Sequence, residues 1–277
     1  MRPQPTGLRK GEPTTLSHTR IEYALNPDGQ RPGYLWPVLS GCLHGPDICA
    51  TSATCWARDM NARRLPGWKA HYNPDFSPRF NADLIGAPLH VRKPATFLVA
   101  FTGELFGDWL QDPRAQAAMV GWPEAAWHHK SHLFALREEI LATVSALPQH
   151  RFIFLTKRPE NLATWNPWPR NAWVGMSLTG RESRERQDAM WKALERVQGA
   201  GVRWLSLEPA LGTLAQPIPS WVDWVVIGRQ TGKGATPFDM AYLVKPLVWT
   251  EGHKPLWEKN NLFRGRPLFL CQELPHA

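Results

Sequence analysis

The sequence predicts an α/β protein built on parallel strands, a partial or complete (β/α) barrel of the TIM type. Three observations predict it. Short, near-continuous apolar runs recur through the last two-thirds of the 277 residues, the pattern of strands buried on both faces. Amphipathic segments of helical length fill several gaps between the runs. The residues that follow the runs are polar, as on the loops at the carboxyl ends of barrel strands, where the sites of such folds lie.

Taken in order, residues 1–20 (MRPQPTGLRKGEPTTLSHTR) are polar and basic and are expected to form a loose tail, with 21–277 a single domain. The first apolar run is Tyr34–Leu39 (YLWPVL), weakened as a strand by Pro37. Ala95–Phe101 (ATFLVAF), Phe152–Leu155 (FIFL), Ala172–Leu178 (AWVGMSL), Val202–Leu207 (VRWLSL), Trp224–Ile227 (WVVI) and Leu268–Cys271 (LFLC) follow. Helices are predicted over Ala115–Ala126, over Ser131–Leu147 up to Pro148, over Arg184–Val197 ahead of Gly199 and Gly201, and over Phe238–Trp249. About seven strands in alternation with helices favour a barrel over an open sheet. Neither an internal repeat nor a linker marks a second domain.

Composition narrows the function classes. The amino-terminal residues have no apolar core of the secretory type, and no window approaches the ~18 apolar residues of a membrane span. A cytoplasmic protein without a membrane partner is expected, and in that compartment thiols stay reduced. The net charge of +8 and pI near 9.6 suit a nucleic acid or another polyanion, although a solvated basic surface explains them slightly better. Much of that charge is local, on Arg2, Arg9, Lys10 and Arg20 and on Arg58, Arg63, Arg64 and Lys69. Of fifteen tryptophans, Trp173, Trp204 and Trp224 fall inside apolar runs, so core packing explains them better than base stacking.

The chemistry-bearing feature is a cysteine triplet. Cys42, Cys49 and Cys55 fall within fourteen residues, in SGCLHGPDICATSATCWARDM, while Cys271 is more than two hundred residues away. Three thiols cannot pair off, and as soft ligands they suit a metal or an iron–sulfur cluster. A Cys3His zinc set with His44 or His71 is the structural alternative, although the triplet lacks the tight C-x2-C pairs of most zinc loops. His128 and His129, adjacent on a helix, diverge and do not chelate together. Cys271 reads as an inert core cysteine, with a substrate contact left open by its place at a predicted strand end.

The other predicted strand ends carry Thr102, Gly103 and Glu104; Thr156, Lys157 and Arg158; Ser177 and Thr179; Glu208; Arg229 and Gln230; Gln272 and Glu273. Any one of these is more often a turn, cap or salt-bridge residue than a ligand; Glu104 in particular reads equally as a ligand, an N-cap or an exposed turn residue. Seven sets converging on one rim specify a site. The segment GRQTGKG (228–234) lacks the Walker spacing and reads as a rim loop offering Arg229 and Lys233 to a phosphate.

Together GCLHG, CWAR, TGELFGDW, FLTKRPE, GMSLTGRE, LSLEPALG, VVIGRQTGKGATPFD and FLCQE resemble the radical S-adenosylmethionine superfamily, and within it a group of phage and bacterial proteins, from about Tyr34 to Glu273. The resemblance implies that Cys42, Cys49 and Cys55 hold three irons of a [4Fe–4S] cluster. The open fourth iron then takes S-adenosylmethionine, which a single electron cleaves to a 5′-deoxyadenosyl radical. It implies a flavodoxin- or ferredoxin-type electron donor. Gly103-Glu104 falls where the family has a Gly-Gly-Glu segment for the methionine ammonium, with Thr102 in place of the first glycine. Ser177 is implied to contact the ribose, Arg181 or Lys157 the cofactor carboxylate, and Glu208 the ribose or the substrate. Lys157, Arg158, Arg181, Arg229 and Lys233 would then receive an anionic substrate, a nucleotide or nucleic acid among the candidates. One departure stands out: the family spacing is C-x3-C-x2-C, whereas here it is C-x6-C-x5-C. The reading from residues alone leaves a second function open, a zinc-stabilised or metal-free barrel that binds nucleic acid or a partner protein without catalysis.

Overall fold

The computed structural model describes residues 16–63, 71–110, 131–232, 234–251, 254–263 and 271–275. The helix expected over Ala115–Ala126, Lys233, and residues 268–270 of the last expected strand lie outside the described residues. The chain divides into two compact units, one of Met1–Arg20, Ala24–Pro46 and Thr51–Phe152, the other of Ile21–Tyr23, Asp47–Ala50 and Ile153–Ala277.

In the first unit, Pro37 splits the first apolar run. Proline has no N–H to give to a ladder, and the run becomes β1 (Tyr34–Trp36) and β2 (Leu39–Ser40). The short helix α1 (Trp56–Ala62) follows, then β3 (Arg79–Phe80), β4 (Thr96–Val99) and the helix α2 (Ser131–Ala146). β1 pairs parallel with β4, Trp36 opposite Val99, while β2 pairs antiparallel with β3. The core here is aromatic. Phe97 stacks on Phe152 at 5.1 Å between ring centroids, and Trp36 meets Phe152 edge-on at 5.6 Å. The buried Trp36 indole finds its obligatory acceptor in the Leu84 carbonyl at 2.7 Å.

β5 (Arg151–Thr156) begins in the first unit and continues in the second. The second unit then holds β6 (Ala172–Leu178), the helix α3 (Arg184–Glu195), β7 (Val202–Leu207), β8 (Trp224–Ile227), the helix α4 (Val244–Thr250) and β9 (Leu256–Glu258). The strands hydrogen-bond in the order β1-β4-β5-β6-β7-β8-β9, and β6, β7, β8 and β9 pair parallel in succession. The fold class is therefore α/β with a seven-stranded sheet. α3 starts where Ser183 accepts the Arg186 amide at 3.2 Å, a side-chain N-cap. Every residue of β6 and β8 is buried, which explains why both runs are nearly all apolar, Ser177 excepted, rather than alternating. Trp173 and Trp204 each pack on Trp224, and Tyr23 packs on Trp204 and Trp224, with centroids 5.3–5.9 Å apart, so these tryptophans are core.

The last strand differs from expectation. β9 is LWE, three residues too short to show a period. Cys271–Glu273 runs antiparallel beside it: Gln272 bridges Trp257, the Glu258 amide donates to Cys271 at 2.7 Å, and the Glu273 amide donates to Leu256 at 2.9 Å. Glu273 thus lies by the start of β9, where its carbonyl accepts the Trp224 indole at 2.9 Å. With Val202, Asp223 and Pro255 it lines a cavity of about 880 Å³ at the amino-terminal starts of β7, β8 and β9. Glu273 does not belong with the residues at the carboxyl ends of those strands, whereas the Gln272 side-chain amide donates to the Glu258 carbonyl at 3.1 Å and to Asn260 at 3.2 Å, at the carboxyl end of β9.

Candidate functional site

In the first unit the cysteine loop leaves β2 through Gly41 and Cys42. A parallel bridge joins Gly41 to Gly103; the Gly41 amide donates to Thr102 at 3.3 Å and the Glu104 amide to Gly41 at 3.2 Å. Both glycines are sterically required. Gly41 has φ +84°, and a Cβ on it would run into the Ser77 and Phe76 carbonyls; one on Gly103 would lie 2.9 Å from the Gly41 carbonyl oxygen.

Among the described residues, two that are not glycine adopt positive φ, Phe76 at 63° and Ala100 at 55°. Both adjoin this site: the Phe76 carbonyl accepts the Cys42 amide at 3.0 Å, and the Ala100 carbonyl accepts the Gly103 amide at 2.9 Å. Such backbone costs roughly 1–3 kcal/mol and persists where its surroundings enforce it, often at functional sites. Cys42 and Cys55 both pack against the small cluster Ala57, Tyr72 and Phe76. The Tyr72 hydroxyl donates to Thr102, and burial pushes its phenol up to about 12, with the Thr102 hydrogen bond opposing. The Cys42 sulfur accepts the His44 amide at 3.3 Å, the kind of hydrogen bond that tunes a ligand thiolate.

Glu104 is 5% exposed, so it is not the exposed turn residue that one reading allowed. Its Oε1 accepts the Phe106 amide at 3.0 Å, and its Oε2 lies 3.8 Å from His44 Nδ1. The buried His44 ring also packs edge-on against Trp109 at 5.0 Å.

All four cysteines are free thiols, each partly exposed. Cys49 falls in the second unit, within Asp47–Ala50. Among the described residues no three His, Cys, Asp or Glu side chains gather as a single metal ion requires. The donor set still fits an iron–sulfur cluster in kind: three reduced soft donors, one of them already amide-bonded. A cubane takes its thiolates on separate irons and so needs them spaced around it.

In the second unit the parallel strands present a second group. Ser177 and Ser206 are in register on β6 and β7, and the buried Ser177 hydroxyl donates to the Glu208 carbonyl at 3.3 Å. The Glu208 carboxylate pairs with Lys259 at 2.8 Å, the salt bridge that one reading of this rim anticipated. After β6, the Glu182 carboxylate accepts from the Thr179 amide, the Thr179 hydroxyl and the Gly180 amide at 2.8–3.1 Å, which fixes that turn. The exposed Arg181 is held there, its Nε donating to the Leu211 carbonyl at 3.3 Å.

Lys157 and Arg158 follow β5 and are half-buried; the Arg158 amide donates to Thr156 at 2.8 Å, and the Lys157 carbonyl accepts from Arg186. Arg229 follows β8, its carbonyl 3.5 Å from the Asn261 amide nitrogen. Lys233 lies outside the described residues. Sequence reasoning missed Lys259, because it follows a strand too short to detect; the Lys-Asn-Asn after LWE was its only signal.

Comparison with curated proteins and with solved structures gave no match. Residues 30–245 match the family described as "Protein of unknown function (DUF5131)", a stretch that contains the cysteine triplet, Glu104, Ser177 and Glu208, and the chain belongs to that family.

Proposed function

We propose that this chain is a radical S-adenosylmethionine enzyme of the cytoplasm, its sheet part of a (β/α) barrel, acting on a nucleotide, nucleic acid or other anionic substrate. The observation that carries the reading is the joint between Gly41 and Gly103. It sets the start of the cysteine loop against a buried glutamate, with both positive-φ residues buttressing the two loops. Cys42, Cys49 and Cys55 would hold a [4Fe–4S] cluster. Glu104 would accept the ammonium of the methionine moiety in a charge-assisted hydrogen bond. Ser177, Arg181 and Glu208 would bind the rest of that cofactor, and Lys157, Arg158, Arg229 and Lys233 the substrate. When bound, cluster and S-adenosylmethionine supply a 5′-deoxyadenosyl radical, given one electron from a flavodoxin- or ferredoxin-type donor. The chain's own residues hold, orient and screen these groups.

A second reading is a non-catalytic barrel, zinc-stabilised or metal-free, that binds nucleic acid or a partner protein. The net charge of +8 favours it, since a basic surface suits a polyanionic partner with or without a metal.

Anaerobic purification separates the two. The first reading expects brown protein with about four irons per chain, lost in Cys42→Ala. Colourless protein under those conditions, with or without zinc, overturns it.

A further inference from the structure

We infer that Lys259 is a positioning residue: it holds the Glu208 carboxylate in the orientation that binds the cofactor's ribose. The inference rests on the reading of Glu208 as a cofactor-binding residue and adds a residue that lies beyond the family-matched stretch.

The geometry is tightly determined. Lys259 Nζ lies 2.8 Å from Glu208 Oε1, and the two side chains are each 19% exposed, open enough to meet a ligand yet shielded enough for their charges to matter. Backbone bonds pin both residues. The Lys259 amide donates to Ile227 at 3.0 Å, the Gly228 amide to Leu207 at 3.2 Å, and the Ala210 amide to Gly228 at 2.8 Å. Tyr23 closes one side of the pair, its ring centroid 5.9 Å from Lys259 Nζ. Burial, and then the charge of Glu208, raise that phenol well above its ordinary value. Gly228 closes another: a Cβ there would lie 2.7 Å from Glu208 Oε1 and 3.0 Å from Lys259 Cδ.

Such a pair is poor evidence for stability, because desolvating two charges offsets most of their attraction. Its value lies in what it leaves over. Lys259 occupies Oε1, whereas among the described residues Oε2 has only a 3.4 Å contact with the Ser206 hydroxyl. A carboxylate has about four lone-pair sites, so Oε2 retains acceptor capacity at the carboxyl ends of β7 and β9. A vicinal diol offers the two O–H donors that suit it.

The test is S-adenosylmethionine affinity of the full, anaerobically reconstituted chain. Lys259→Met should weaken binding about tenfold, the worth of one hydrogen bond to a charged group, and Lys259→Arg should restore most of it. Gly228→Ala keeps both charges but displaces them, and should weaken binding as Lys259→Met does. The double variant Glu208→Gln/Lys259→Met should bind no worse than Glu208→Gln alone. The preference for 5′-deoxyadenosine over its 2′-deoxy analogue should shrink in Lys259→Met. Wild-type affinity in Lys259→Met, or additive losses in the double variant, overturns the inference while the reading stands. Wild-type protein that binds no S-adenosylmethionine overturns both.

Discussion

The amide of Glu104 donates to the carbonyl of Gly41 at 3.2 Å, so the loop that opens with Cys42 and the loop that carries the buried carboxylate are hydrogen-bonded to each other. Residues more than sixty positions apart in sequence become neighbours because two glycines let their backbones touch.

Gly41→Ala should therefore be costly. It adds a Cβ at φ +84° against two carbonyls, and a destabilisation of about 1–3 kcal/mol is expected. Denaturant unfolding measures it. Gly103→Ala, with its milder clash and no positive φ, should cost less; equal stability of wild type and Gly41→Ala would show that the joint is not constrained.

Glu104→Ala should weaken S-adenosylmethionine binding by tenfold or more, from the loss of a hydrogen bond to a charged group worth about 1.5–3 kcal/mol. Iron content should be unchanged, because Glu104 is assigned to the cofactor rather than the cluster. Iron lost in parallel would contradict that assignment.

His150 predicts the acid side of the stability profile. Its Nδ1 accepts the Ala95 amide at 3.1 Å, so the neutral ring must donate from Nε2, to the Val91 carbonyl at 2.9 Å. Burial lowers its pKa below the ordinary histidine value, partly opposed by the Val91 bond. The folded state thus binds fewer protons than the unfolded one. The contribution is complete above pH ~6.5 and is lost as the pH falls through the depressed folded value. Unfolding free energy measured from pH 7.5 down to 5 should fall, and fall less in His150→Gln. An identical slope in the variant would remove His150 as the cause.

In β6, Gly175 lies against the indole of Trp204, whose Nε1 donates to the Phe154 carbonyl at 3.1 Å. Gly175→Ala puts a methyl into that ring and should destabilise by about 1–3 kcal/mol, the cost of overpacking. Tryptophan fluorescence during thermal unfolding should report a lowered midpoint; an unchanged one would show that the indole can move aside.

The strands of the second unit were legible because burial on both faces demands a nearly continuous apolar run. Ala172–Leu178, Val202–Leu207 and Trp224–Ile227 carry that signal at the bounds the structure gives them. β9 was not legible, since three residues define no period, and Lys259 went unseen with it. Glu273 was misplaced because an apolar run does not reveal its direction: Cys271–Glu273 runs antiparallel to β9, so Gln272 still reaches the carboxyl end of that strand while Glu273 lies by its start.

By itself the sequence determined the α/β class, its parallel strands and the free-thiol triplet, because burial and ligand chemistry are properties of residue type and local spacing. Tertiary structure alone decided which groups meet: Gly41 with Gly103, Tyr72 with Thr102, His44 beside Glu104, Lys259 on Glu208. Those meetings depend on close backbone approach and on pairing between distant strands, and neither leaves a period in the chain.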